Sequence, residues 1–185
     1  MTDRKCLPRS CRPQNTLRFG WKVIVNIDEL SSKEQMVFRE LIEVLEAFTA
    51  DEQLMIGATT RWSAKDVLAH LLAWEVAALD ELATIRGGTW QPRRITKEEV
   101  DVINDAQVAA GSTRTFESLI DEFRKTRGEL RKAYSNMMTE SEDSEPLRRV
   151  IRSHCLHHCG RHLTQLTAWQ RSLRPTSAGK GQREA

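Results

Sequence analysis

WSAKDVLAHLLAWE, residues 62–75, sets the reading of this chain. Ser63 followed three residues later by Asp66 is a helix-start pattern, in which each side chain satisfies a backbone N–H at the other's position. Val67, Leu71, Trp74 and then Ala78 recur at three- and four-residue steps, the spacing of one helical face. His70 lies beside that stripe, next to Val67 and Trp74 on the wheel. The helix is predicted to run to about Ile85, with Gly87-Gly88 stopping it and Pro92 extending the loop. A single inward histidine is usually a packed, hydrogen-bonded residue, so its meaning depends on what the rest of the chain brings to it.

The segments on either side repeat the helical pattern. Upstream, Ser31 with Glu34 marks a helix start, and Phe38, Leu41, Leu45 and Phe48 form its apolar face up to about Thr49. Downstream, Thr96 and Glu99 open a short helix over about 97–109, ended by Gly111. A long helix follows from about Thr115, with Phe116, Leu119, Ile120, Phe123, Leu130 and Tyr134 on one face. An acidic loop at 139–145 precedes Pro146, which suits the first turn of a last helix because its missing N–H has no partner there anyway. That helix carries Leu147, Ile151, His154, Cys155, His158, His162, Leu166 and Trp169 along one side to about Ser172. Strand patterns and internal repeats are absent. The expected fold is an all-α four-helix bundle over 31–172, with a long crossover between its second and third helices that carries the short extra helix. Residues 1–30 read as an irregular basic extension and 173–185 as a free tail.

At 185 residues the chain suits one folded domain. Its charge of +2 is uneven: residues 1–30 carry six Lys/Arg against three acids, 171–185 four against one, and 31–170 eighteen against twenty-two. The folded part is therefore acidic, and no nucleic-acid partner is expected. No run of eighteen apolar residues suggests a membrane span, and no leader pattern opens the chain, so a cytoplasmic location is expected. Four cysteines fall as Cys6/Cys11 and Cys155/Cys159; without a secretion signal they do not suggest a disulfide scaffold.

HCLHHCGRH, residues 154–162, holds four of the five histidines. His158 and His162 stand four apart, one above the other on a helix, and His154 shares that phase. Two helical histidines leave a divalent ion short of ligands, and His70 is the only histidine elsewhere. If the second and last helices face each other, His70, His158 and His162 form a three-nitrogen site with open positions, as a catalytic metal requires. His154 is either a fourth ligand or a wall of the pocket. His157 points away, and Cys155 and Cys159 read as buried packing residues outside the ligand set. Glu75 is a candidate general base at the rim, and Asn104 a second candidate catalytic group. No dinucleotide, P-loop, nucleophile-elbow or H-E-x-x-H motif is present.

Residues 62–75 resemble the second-helix signature of the DinB/YfiT-like superfamily, and more narrowly of the ClbS/DfsB family. Residues 102–130 resemble that family's short and third helices, and HCGRHLTQLTAW, 158–169, its closing helix. The resemblance covers about 31–170. It implies a divalent metal, zinc or nickel, on three histidines that correspond here to His70, His158 and His162. His154, Cys155 and Cys159 depart from the family pattern. The resemblance also implies a small-molecule substrate and, in some members, a low-molecular-weight thiol; homodimers are a family-level expectation. Activities in the superfamily include thiol-dependent transfer or isomerisation and hydrolysis of an electrophilic cyclopropane by a self-resistance protein. The expected function is metal-dependent hydrolysis of a small electrophile. A thiol S-transferase or isomerase, a non-catalytic sequestering protein and a bundle whose histidines only pack are the rivals.

Overall fold

The computed structural model describes residues 27–140 and 145–174. The expected basic extension and tail fall almost wholly outside these residues, as does most of the acidic loop. Among the described residues the architecture is all-helical, apart from one isolated antiparallel bridge between Ile56 and Ser63. Helix α1 is Ile27–Glu46, α2 Ala50–Leu54, α3 Ala64–Arg86, α4 Lys97–Gly111 and α5 Phe116–Glu140. The last long helix is composite: α6 (Glu145–Val150) passes into a π-helical segment (Ile151–His158) and then into α7 (Cys159–Leu173). Val150 and Cys159 keep right-handed helical torsions, so the chain stays helical through both junctions. None of these helices is long and apolar enough to cross a membrane.

Two of the three expected helix starts form. Ser63 N–H donates to Asp66 (2.9 Å) while Asp66 N–H donates to the Ser63 hydroxyl (3.2 Å), and Thr96 with Glu99 repeats the arrangement. The third does not. α1 begins at Ile27, four residues before the expected start, and Ser31 lies inside it against the Tyr134 hydroxyl (3.2 Å). Glu34 is drawn into the core instead of reaching back to a cap. The reciprocal cap in this region belongs to Thr49 and Glu52, which open the short α2. Residue spacing alone predicts only a loop there.

α1, α3, α5 and the composite helix form the bundle. α3 packs most extensively on α5, and α1 on α7 and the π segment. α4, within the crossover, lies on α3. The apolar faces read from the sequence are the faces buried: Phe38, Leu41, Leu45, Val67, Leu71, Phe123 and Leu166 join one core cluster. Leu30, Leu82, Leu130, Tyr134, Leu147 and Ile151 join a second. Each such side chain contributes about 1.5–3 kcal/mol on burial.

Between the two clusters lies a buried layer of charge. Arg127 of α5 is fully buried. It donates to Glu75 of α3 (Nε–Oε1 2.9 Å, with Nη2 on the same oxygen), to Glu34 of α1 (2.6 Å) and to the Cys159 thiol of α7 (3.1 Å). Arg131 and Tyr134 also donate to Glu34, at 2.8 and 2.6 Å. Burial works against the Glu34 carboxylate, but Arg131, Arg127 and Tyr134 outweigh it and hold its pKa below the ordinary value. Burial raises Glu75 despite Arg127. The phenyl face of Phe38 lies under both guanidinium groups, 4.7 Å from that of Arg127.

Two outcomes test this packing. Arg127→Met strands the buried Glu75 carboxylate and removes one of the three donors to Glu34, and we expect a loss of about 3–5 kcal/mol in urea unfolding; a loss below about 1 kcal/mol would show that the layer is not a stabilising contact. Gly111, the last residue of α4, meets α3 so closely that an added Cβ would stand 2.4 Å from the Ala69 Cβ. Gly111→Ala should cost about 1–3 kcal/mol, and adding Ala69→Gly should recover much of it in a double-mutant cycle. Simple additivity of the two changes would contradict the contact.

Candidate metal centre

α3 and the composite helix touch sparsely along part of their length. The gap is a cavity of about 430 Å³ between α3, α4, the π segment and α7, with the 59–62 loop at its mouth. His70 comes from α3, His158 from the end of the π segment and His162 from the first turn of α7. One ring nitrogen from each lies within 4.8 Å of the others. His70 Nε2 and His158 Nε2 are 2.8 Å apart. Ligand bonds of about 2.1 Å place the donors of a shared ion roughly 3–4 Å apart, so this donor set fits a divalent metal with open positions toward the cavity. His70 and His162 are buried and His158 is half-buried.

Aromatic and amide side chains surround the rings. Trp62 and Trp74 wall the trio, with ring centroids 4.8 and 6.4 Å from His70. The Gln107 side chain lies beside His70 and that of Gln165 beside His162, each favouring a protonated ring nitrogen. Neither contact closes into a full hydrogen bond: Nδ1 of both rings and Oε1 of both glutamines are buried without a bonded partner among the described residues. An Nδ1–H facing an amide oxygen is the support a metal-ligating imidazole uses to fix its tautomer.

Electrostatics keeps the rings neutral. Burial, then the charge of His162, pushes His70 down to about 3. Burial, then the other histidines, takes His158 to about 2, and burial takes His162 to about 4. The positive charge of Arg161 acts in the same direction on all three. A neutral imidazole is the form that donates a lone pair to a metal.

The other candidates named from the sequence separate. Asn104 of α4 reaches the cavity, where its Oδ1 accepts the Trp74 indole N–H at 3.0 Å. Glu75 does not reach the rim: it is buried and bound to Arg127, because α3 turns it toward α5. His154 lines the cavity but stands outside the trio. Its Nε2 faces Glu81 Oε2 at 3.3 Å and its ring lies against Trp74, while Trp90 donates to the other Glu81 oxygen at 2.8 Å. An α-helical wheel puts His154 above His158; the wider turn of the π segment changes that phase. His157 is exposed, and Cys155 and Cys159 are buried free thiols, as their spacing implies. The Glu81–His154 pair, Gln107 and the π segment carry no motif that marks them in the sequence.

The neutral trio has a pH signature. An unfolded histidine titrates near 6.5, above these folded values, so the unfolded chain takes up more protons as pH falls. Chelator-treated protein should therefore lose stability between pH 7 and 5, by up to about 1.4 kcal/mol per pH unit for each histidine. Urea midpoints across that window should fall steeply for the native sequence and less for His70→Gln/His162→Gln. Equal slopes for the two proteins would argue against buried neutral rings.

The model of the family described as mycothiol maleylpyruvate isomerase N-terminal domain matches residues 37–150, a span that includes His70 and stops before His158 and His162. No curated protein matches the sequence. Two solved structures share the fold at 13% identity. One is an uncharacterised protein from Escherichia coli UTI89, with a TM-score of 0.63 over 79% of this chain and 93% of that one. The other is the colibactin self-resistance protein ClbS in complex with a dsDNA, at 0.64 over 78% and 94%. The second corrects an expectation. The acidic balance of the folded part argues against nucleic acid, yet a protein of this fold is seen on duplex DNA, so net charge over the domain does not exclude such a partner.

Proposed function

This chain belongs to the mycothiol maleylpyruvate isomerase N-terminal domain family, of DinB-like fold, and on that premise we propose that it is a divalent-metal-dependent enzyme acting on a small electrophilic molecule. The observation that carries this reading is the convergence of His70, His158 and His162 at the base of an open cavity. Zinc or nickel suits three neutral imidazoles. A divalent ion in such a site lowers the pKa of water or of a thiol into the neutral range and so supplies a nucleophile.

The chain's own residues supply the rest. His70, His158 and His162 hold the ion, with Gln107 and Gln165 orienting two of the rings. Trp62 and Trp74 exclude water from one side and offer flat apolar walls to the substrate. Asn104, fixed by its bond from Trp74, directs its amide at the cavity and can bind a substrate oxygen. His154, whose Nε2–H faces the Glu81 carboxylate, keeps its lone pair on Nδ1, and that nitrogen can take up a proton at the cavity wall; burial lowers the pKa of the ring, against the pull of Glu81, which leaves it neutral and able to accept one near pH 7.

Hydrolysis is the leading reaction. Transfer or isomerisation with a low-molecular-weight thiol is the second reading, favoured by the family's description. Sequestration without turnover would keep the cavity and need no metal.

Metal analysis of the purified protein is the first test. We expect about one zinc or nickel per chain, and a loss of at least tenfold in affinity in His70→Ala or His162→Ala with the helical circular dichroism retained. Absence of metal, together with unchanged zinc binding in both variants, would sink the proposal. In metal-loaded protein, consumption of a model epoxide without thiol would mark a hydrolase; consumption only with added thiol would mark a transferase.

A further inference from the structure

Four histidines and two arginines line the metal cavity, and no carboxylate does among the described residues. The two arginines differ. Arg61 is already committed to Asp105, with contacts of 3.2 and 3.4 Å. Arg161, on α7 directly before His162, is exposed at the mouth and has no carboxylate partner among the described residues. Arg114, Arg124 and Arg174 are paired with Glu122, Glu46 and Glu52, while the exposed Arg39, Arg94 and Arg171, like Arg161, meet no carboxylate among the described residues; what sets Arg161 apart from these is its place at the cavity mouth. A guanidinium left unpaired beside a cavity from which acidic side chains are absent is a fork waiting for an anion.

From this arrangement we propose that Arg161 is a specificity-determining residue that binds a carboxylate on the substrate. The inference rests on the reading of this cavity as the substrate site and adds the substrate's class: a small carboxylic acid with a flat or apolar body. One free guanidinium matches one negative charge. A phosphate dianion would call for a second cation, and Arg61 at this cavity is already paired with Asp105. Trp62 and Trp74 then contact the apolar body, while the carboxylate anchored at the mouth turns the electrophilic end toward the histidines. Orientation of this kind is what a single charged contact contributes to a reaction.

Isothermal titration with benzoate, and with benzamide as its neutral counterpart, tests the assignment in both chelator-treated and zinc-loaded protein. Native protein should bind benzoate about tenfold more tightly than benzamide, the factor typical of a charge-assisted contact. Arg161→Gln should bring the two within about twofold with zinc content unchanged, and Arg161→Lys should restore part of the difference. Full benzoate preference in Arg161→Gln would overturn the proposal, because the anion would then be read elsewhere. Zinc-loaded native protein with no benzoate preference would also overturn it, leaving the metal reading intact. If the preference and its loss in Arg161→Gln persist in protein that takes up no zinc, the anion site stands and the metal reading fails.

Discussion

A guanidinium buried in a bundle core is tolerable only while its hydrogen bonds are filled, and Arg127 has recruited three helices besides its own to fill them. Glu34 fixes α1, Glu75 fixes α3 and Cys159 fixes α7 in rotation about their axes. Two of these contacts also sit next to residues of the candidate site. Glu75 follows Trp74 and lies little more than one turn beyond His70; Cys159 follows His158 directly. Helices locked at those positions turn His70 and His158 toward each other on the opposite side. The charge layer therefore acts as a rotational key for the bundle, at the level where the two apolar clusters meet.

The cavity is what remains where packing is withheld. α3 and α5 fit closely, as do α1 and α7, while α3 and the composite helix meet through histidine and tryptophan rings. Those rings are rigid and half-polar; Asn104 holds Trp74 and Glu81 holds His154, while Gln107 and Gln165 lie beside His70 and His162. The crossover contributes twice. α4 supplies Asn104 and Gln107, and the loop before it supplies Trp90, whose indole holds Glu81 and so His154. The long connection between the second and third main helices is thus one wall of the site. Its close seat on α3 is set by Gly111 against Ala69.

Much of the bundle is legible in the chain because amphipathic spacing is a local property. Phe38, Leu41, Leu45 and Phe48 announce a face whatever they pack against, and all four are buried. Ser63 with Asp66 and Thr96 with Glu99 also depend only on neighbours three residues away. Ser31 with Glu34 has the same local pattern and fails, because a distant arginine binds the glutamate more strongly than a cap does. The wheel misplaces Glu75 for the same reason: its phase is intermediate, and Arg127, 52 positions on, decides which way it faces. It misplaces His154 because it assumes an α-helix where the backbone is π.

The sequence by itself determined the helices, the faces they bury and a short list of imidazoles at the right intervals, since each of these rests on spacing within a few residues. Only the tertiary structure decided which imidazoles meet. It placed His70 against His158 and His162, sent His154 to Glu81, took Glu75 out of the cavity and left Arg161 without a carboxylate partner at its mouth, among the described residues. Those outcomes depend on contacts between residues tens of positions apart, whose charges and ring shapes choose one another only when the helices are packed.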